Sequence, residues 1–317
     1  MSPDLPHRKA ETTRSPFRHA AAIYDSDEGF LRTVIPFVEE GLATGDPIIV
    51  TLNPEQQVLL ASVIGQPEGI SQLVVGEHYH HPLSALRANR TLFESHLQAG
   101  AARVRLVGDL PRETPMAWRG WARYEALCNH HLTDLAVTAL CTYDIRTTDE
   151  SVLHDVRRLH ALLTDNNGKQ QPNPSYVQPD AFLRDWSQGS ADPLEAGAPQ
   201  LHLADPQPSD GRRAVAALAT TAGVASEGLV AAVSEVLSNA HVHGQPPVAL
   251  RGWSSRGRVV LKVSDGGPGP ADPIAGLIVP DGEATGGRGL WIANQLCDMF
   301  SITAEDDGCS VRMIAEA

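Results

Sequence analysis

The stretch SEVLSNAHVHG, residues 234 to 244, breaks a run rich in alanine and valine with a carboxylate and an amide four positions apart. At about 3.6 residues per turn, Glu235 and Asn239 lie on one helix face, one above the other. Val233, Val236, Leu237 and Ala240 fall where they can face a core. Gly244, followed by Pro246 and Pro247, predicts the helix end, at a position where a left-handed cap costs little and continuation is blocked. The helix is ordinary in its apolar face and unusual in its polar pair.

Around this helix the pattern is one of helices followed by grouped strands, which predicts an α+β sandwich. A further helix is expected over about 210 to 222, strands near 248 to 253 and 258 to 264, a helix from about 288 to 299, and a final strand pair. In VVLKVSDGGPGP, Asp265 stands just past a strand and is followed by Gly267 and Gly269. In TGGRGLWIANQL, Gly286, Gly287 and Gly289 precede a helix, with Arg288 among them. Glycines let backbone amides approach phosphates, and a helix N-terminus adds favourable partial charge. Taken singly, each motif is also what an ordinary tight turn looks like.

Their order and spacing are more specific. A Glu-x-x-x-Asn helix, then Asp-x-Gly-x-Gly after a strand, then Gly-x-Gly opening a second helix, resembles the GHKL (histidine-kinase-like) ATPase superfamily of Bergerat-type two-layer sandwiches. Within it, the string EVLSNAHVHG is similar to the ExxxNAxxHG of the anti-sigma-factor serine/threonine kinases. The likeness covers residues 209–317 and implies ATP and Mg²⁺ as cofactors. It implies that Asn239 holds Mg²⁺ and that Glu235 is the base acting on an incoming hydroxyl. Asp265 would accept from the adenine amino group, Gly267 and Gly269 would let the chain pass close to the nucleotide, and His243-Gly244 would close the helix beside it. The turn from Gly286 through Gly287 and Arg288 to Gly289 would cap the phosphates, with Arg288 meeting the terminal one. Two features depart from the family pattern: Cys309 replaces a threonine expected near the adenine, and the segment ADPIAGLIVPDGEAT between the glycine motifs is short and contains proline.

The first half alternates instead. AAIY at 21 to 24, PIIVTL at 47 to 52, LVVG at 73 to 76, VRLVG at 104 to 108 and LAVTALCTY at 135 to 143 predict strands. Helices are expected at FLRTVIPFVEEGLATG, near 84 to 99, near 116 to 131 and at about 150 to 163, giving an α/β domain with a largely parallel sheet. The stretches FRHAAAIYDSDEGFLRTVIPFVEEGLATGDPIIV, VRLVGDLP and TALCTYD resemble the MEDS sensory domain, which implies a RecA-like parallel sheet without a working phosphate loop and a role in sensing. No phosphate-loop motif is present; the one Gly-Lys pair, Gly168-Lys169, is followed by Gln170. The expected organisation is a flexible tail at 1–16, the sensory domain at 17–190, a linker at 191–208 marked by the stretches NNGKQQPNPSYVQP and WSQGSADPLEAGAPQ, rich in Pro, Gly, Asn and Gln, and the ATPase domain at 209–317.

Three smaller features of this half invite chemistry. His78 and His80 in EHYHHP would point the same way on a strand, although clustered histidines lacking a second ligand pair also make an ordinary polar loop. His19, Cys141 and Tyr143 sit at expected strand ends, where an α/β fold places its ligand crevice and where plain packing is equally usual. His154-Asp155 on a helix is how some histidine kinases present a phosphoacceptor, but a proline-rich segment follows it and not a second long helix.

Composition limits the partners. The 317 residues carry a formal net charge of −13, and division at Glu195 leaves −8 and −5, so neither half has the basic footprint of direct nucleic-acid or anionic-membrane binding. Cys128, Cys141, Cys297 and Cys309 show no metal or redox spacing, and no signal peptide or membrane-spanning run is visible, which predicts the cytoplasm. The anti-sigma likeness implies a homodimer that grips a sigma factor or phosphorylates an anti-sigma antagonist, with Arg212 and Arg213 as the expected cationic contact. An ATP-gated interaction module without phosphotransfer and a sensor histidine kinase are the alternatives.

Overall fold

The computed structural model describes residues 17–65, 67–79, 82–111, 115–187, 191–272, 275–277, 288–305 and 307–317. The chain divides into two compact units, Met1–Pro179 and Asp180–Ala317. The expected tail at 1–16 lies outside the described residues. Among the described residues, no helix is long and apolar enough to cross a membrane. All four cysteines are buried free thiols.

In chain order the first unit contains β1 (Arg18–Tyr24), α1 (Asp27–Thr44), β2 (Ile48–Thr51), α2 (Pro54–Ile64), β3 (Ile70–Gln72), α3 (Val75–His78), α4 (Pro82–Gln98), β4 (Val104–Gly108), α5 (Pro115–His131), β5 (Val137–Asp144), α6 (Glu150–Leu159), β6 (Leu162–Thr164) and β7 (Gln170–Pro172). The seven strands form one sheet in the order β3-β2-β4-β5-β1-β6-β7. Every pairing is parallel except that of β6 with β7. Helix α1 begins where the Ser26 side chain accepts from Gly29 N at 3.1 Å and stops at Gly45, whose φ of 71° is the left-handed cap. Ala20, Ala22 and Leu140 pack with Phe30, Val34 and Val38 of α1 on one side of the sheet. His19, Ala21 and Cys141 therefore belong to the other side, because successive strand residues alternate.

Two expectations for this unit are corrected. LVVG at 73–76 is not a strand: β2 pairs instead with Ile70–Gln72, Val74 is 61% exposed, and α3 starts at Val75. His78 thus lies on a short helix, where its Nε2 is 2.7 Å from Asn89 Oδ1, and His80 lies outside the described residues. Second, the polar segment after α6 carries the edge hairpin β6–β7, in which Pro172 costs no ladder bond because it sits at the sheet margin.

The second unit begins within α7 (Pro179–Ser187) and continues with a 3₁₀ turn (Pro193–Ala196), β8 (Leu201–Ala204), α8 (Pro208–Ala222), α9 (Ser226–His243), β9 (Ala249–Ser255), β10 (Arg258–Asp265), α10 (Arg288–Gln295), β11 (Met299–Glu305) and β12 (Gly308–Glu316). Its sheet is antiparallel throughout, in the order β11-β12-β10-β9-β8. Val233, Val236 and Leu237 of α9 are buried against Leu250, Leu261 and Met313 of the sheet. Residues 191–208, expected as a linker, supply the turn capped by Asp192 and the edge strand β8 on β9. The helix expected to reach 299 ends at Gln295, and Met299 already belongs to β11.

Within the first unit, Arg105 of β4 is buried, with Nε 2.9 Å from Asp46 Oδ2 and Nη1 2.9 Å from Glu40 Oε2. Removing one partner of such a pair strands the other charge away from water. Arg105→Leu is therefore expected to destabilise the first unit by about 3 kcal/mol, read as a lowered urea midpoint for its unfolding transition.

Candidate functional site

The predicted site residues assemble around α9 in two groups. Helix α9 turns its apolar stripe to the sheet, which leaves Glu235 and Asn239 half-buried on the flank towards α10. The two helices approach closely at Gly228, where an added Cβ would stand 3.1 Å from Leu296 O. At the start of α10, a Cβ on Gly289 would stand 2.7 Å from Glu235 Oε2 and 3.2 Å from Asn239 Nδ2. The third motif thus opens its helix directly over the Glu-Asn pair, and a side chain there would have to displace the Glu235 carboxylate. Arg288 is exposed beside it, while Gly286, Gly287 and most of the segment between the glycine motifs lie outside the described residues.

The second group lies at the far end of α9. Gly244 caps the helix through its N–H to Ala240 O, with φ −82° and ψ −169°. The expected left-handed cap is therefore corrected: the backbone is extended and open to any residue type. Space is what requires glycine here, since a Cβ on Gly244 would meet Asp265 Oδ1 at 2.4 Å and Ala240 O at 2.5 Å. Asp265 ends β10, and its Oδ1 accepts from Gly267 N at 2.8 Å and Gln245 N at 3.3 Å. Those two bonds fix the carboxylate against the helix end. Gly267 is packed on the same carboxylate, and Gly269 takes the left-handed φ of 72° with Cys309 Sγ beside it. Cys309 is the β12 residue paired with Asp265 across the ladder. Burial, reinforced by Asp265 and Glu305, pushes its thiol up to about 11, so it stands near Asp265 as a neutral group. His243 is exposed at the helix end and is not packed into either group.

Sequence reasoning missed Asn294. It is buried on α10, and its Nδ2 donates to Gly276 O at 2.8 Å, tying the described part of the inter-motif segment to the helix. The signal was available: an amide inside an apolar helix, as at Asn239. The cationic contact expected at Arg212 and Arg213 is partly engaged within the unit, as Arg213 pairs with Asp210 at 2.6 Å and Arg212 donates to Ser234 Oγ at 2.9 Å.

Residues 18–161 match the family model described as MEDS, the MEthanogen/methylotroph, DcmR Sensory domain, and residues 204–315 match that of the histidine kinase-like ATPase domain. Among solved structures, the mycobacterial sensor histidine kinase MprB is similar over 29% of this chain and 72% of its own, at 25% identity and a TM-score of 0.24. The cytoplasmic domain of EssC is similar over 55% of this chain and 43% of its own, at 9% identity and a TM-score of 0.29. EssC (ATPases 2 and 3) from Geobacillus thermodenitrificans is similar over 51% and 34%, at 13% identity and a TM-score of 0.29. This chain thus spans less than half of either EssC chain. No curated protein matches it. A sensory domain joined to a histidine kinase-like ATPase domain is the make-up of a regulatory, ATP-binding signalling protein.

The tight fit at Gly244 yields a stability prediction. Gly244→Ala must push Asp265 or the helix end aside and is expected to cost about 2 kcal/mol, as overpacking does. Gly197→Ala is the control: its Cβ would meet nothing nearer than Leu194 O at 3.6 Å, so it should shift stability by no more than about 0.5 kcal/mol. Urea unfolding of the two variants measures both.

Proposed function

We propose that the second unit is an ATP-dependent protein serine/threonine kinase of the anti-sigma type, and that the first unit controls it. The observation that carries this reading is the pairing of Glu235 with Asn239 under Gly289, with Asp265 held at the other end of the same helix. A nucleotide lying along α9 would set its adenine at Asp265 and its phosphates at Asn239 and the start of α10, where helix polarity favours negative charge. Mg²⁺, held by Asn239, would neutralise charge developing on the phosphates. Glu235, one turn away, would accept the proton of an attacking Ser or Thr hydroxyl. A module that used ATP only to select a conformation would need Asn239 and Asp265 but no base, so the Glu235 carboxylate favours phosphotransfer. The partners on this reading are a sigma factor and its anti-sigma antagonist, met by a homodimer in the cytoplasm. Because the chain is acidic overall, the grip on sigma factor would rely on local cations such as Arg212 and Arg213 and not on the net field.

The test separates binding from chemistry. Mg-ATP at about 100 times its Kd should stabilise the second unit by about 2.7 kcal/mol by mass action, and Asp265→Asn should shrink the accompanying rise in melting temperature. Asn239→Ala should lose the Mg-dependent part of that shift. Glu235→Ala should keep nucleotide affinity while lowering phosphorylation of the antagonist by about 10²-fold or more. Phosphotransfer by Glu235→Ala at the wild-type rate would remove the base and leave the ATP-gated module. Acid-labile phosphate on the chain itself would point to a histidine kinase instead.

A further inference from the structure

The first unit buries a second polar cluster, far from any nucleotide motif in sequence. His19 of β1, Glu125 of α5, Cys141 of β5 and His160, which follows α6, come together with exposures of 3%, 0%, 7% and 0%. Their donor atoms all lie within 4.8 Å of one another. Glu125 Oε2 is 2.9 Å from His19 Nε2 and 3.6 Å from His160 Nε2, and Cys141 Sγ is 3.3 Å from His19 Nε2.

The surrounding hydrogen bonds decide where the protons are. Asn129 Nδ2 donates to Leu159 O at 2.6 Å and to Glu125 O at 3.3 Å, which turns its Oδ1 towards His19 Nδ1 at 3.0 Å. That oxygen only accepts, so His19 Nδ1 carries a proton. His160 Nδ1 is 2.9 Å from Val156 O, another pure acceptor, and is protonated for the same reason. Both neutral rings then present the Nε2 lone pair to the centre of the cluster. Tyr143 donates to Glu125 Oε1 at 2.8 Å, which leaves Oε2 facing the same centre.

However the protons of the cluster are placed, His160 Nε2 is left over. A thiol proton given to His19 Nε2 leaves the Glu125 carboxylate against a lone pair. A second proton on His19 satisfies Glu125 and turns the thiol from His19 to Glu125 Oε2, 4.0 Å away. In either case His160 Nε2, fully buried and aimed inward, has no hydrogen-bond partner.

We propose that His19, Glu125, Cys141 and His160 form a binding site for one divalent transition-metal ion, with Zn²⁺ as the best match. Two imidazoles, one thiolate and one carboxylate are a borderline-soft set of four ligands that zinc accepts. The Nδ1 bonds to Asn129 and to Val156 O are the outer contacts that orient metal-bound histidines. Charge also balances: one carboxylate and one thiolate offset a divalent ion in an otherwise apolar core. On uptake the Cys141 thiol proton leaves to solvent and a metal–sulfur bond forms, with no redox change. Nothing in this assignment depends on the kinase reading of the second unit.

The full-length chain, stripped with chelator and titrated with Co²⁺, tests the site. One equivalent should bind with the visible bands of four-coordinate cobalt and a near-ultraviolet thiolate-to-cobalt charge-transfer band, and Zn²⁺ should displace it. Cys141→Ser should lose the charge-transfer band, and His160→Gln should weaken Co²⁺ binding by about 100-fold or more, since outer contacts alone account for 10- to 100-fold. A wild-type chain with no charge-transfer band at one equivalent overturns the proposal, as does wild-type affinity in His160→Gln. If either variant fails to fold by circular dichroism, the wild-type titration decides alone: the band supports the site and its absence refutes it.

Discussion

The second unit depends on one close approach, that of the Asp265 carboxylate to the α-carbon of Gly244. The end of β10 and the end of α9 can meet only because no side chain stands between them, and two backbone N–H groups, of Gly267 and Gln245, hold the carboxylate in that position. Two motifs separated by about twenty residues are thereby joined into one wall. The counterpart at the other end of α9 is Gly289, which lets the start of α10 settle over Glu235 and Asn239. At both positions glycine is favoured by volume and not by backbone angle. A substitution at either would act on the polar groups first and on the helix only through them.

The same helix serves core and site without conflict because its periodicity separates the two. Leu229, Val233, Val236 and Ala240 bury one stripe among the sheet residues. Glu235 and Asn239 lie off that stripe, half-buried, so their polar ends need not be fully desolvated. A ligand that comes and goes is compatible with such a setting, since the empty site leaves no buried charge unpaired.

Much of this was legible in the sequence, for reasons that also explain what was not. Helices α1, α4, α5, α8 and α9 and strands β1, β2, β4, β5, β9 and β10 are long enough to show their period or to form unbroken apolar runs, and their boundaries coincide with residues such as Ser26, Gly45 and Gly223. Strands of three or four residues, β3, β6, β7 and β8, show no period, and each lies at or next to a sheet margin, where polar side chains are tolerated. LVVG misled because a short apolar run reads as a strand, and nothing local reveals that Ile70–Gln72 takes the place beside β2. The ATPase motifs were visible because each is contiguous. The left-handed cap at Gly244 was a sound inference from Gly-x-Pro-Pro, but it considered backbone freedom and not the carboxylate arriving from β10.

The cluster of the first unit shows the opposite limit. His19 and Cys141 were noticed as strand-end residues, yet Glu125 and His160 give no spacing signal, because the four ligands come from β1, α5, β5 and the turn after α6. What marks them is a physical imbalance visible only in three dimensions. A carboxylate at zero exposure is costly unless its charge is met, and two rings whose outer nitrogens are already donating cannot meet it without a further proton or a cation. Burying such a set could have been avoided by apolar residues of similar size, which the neighbouring Ala139 and Leu140 show the sheet accepts. The polar groups at α9 remain accessible and tolerate an empty state, whereas those at His19 and Glu125 are sealed from water. The physical expectation for the first site is an exchanging ligand; for the second it is a resident one, bound as part of the fold.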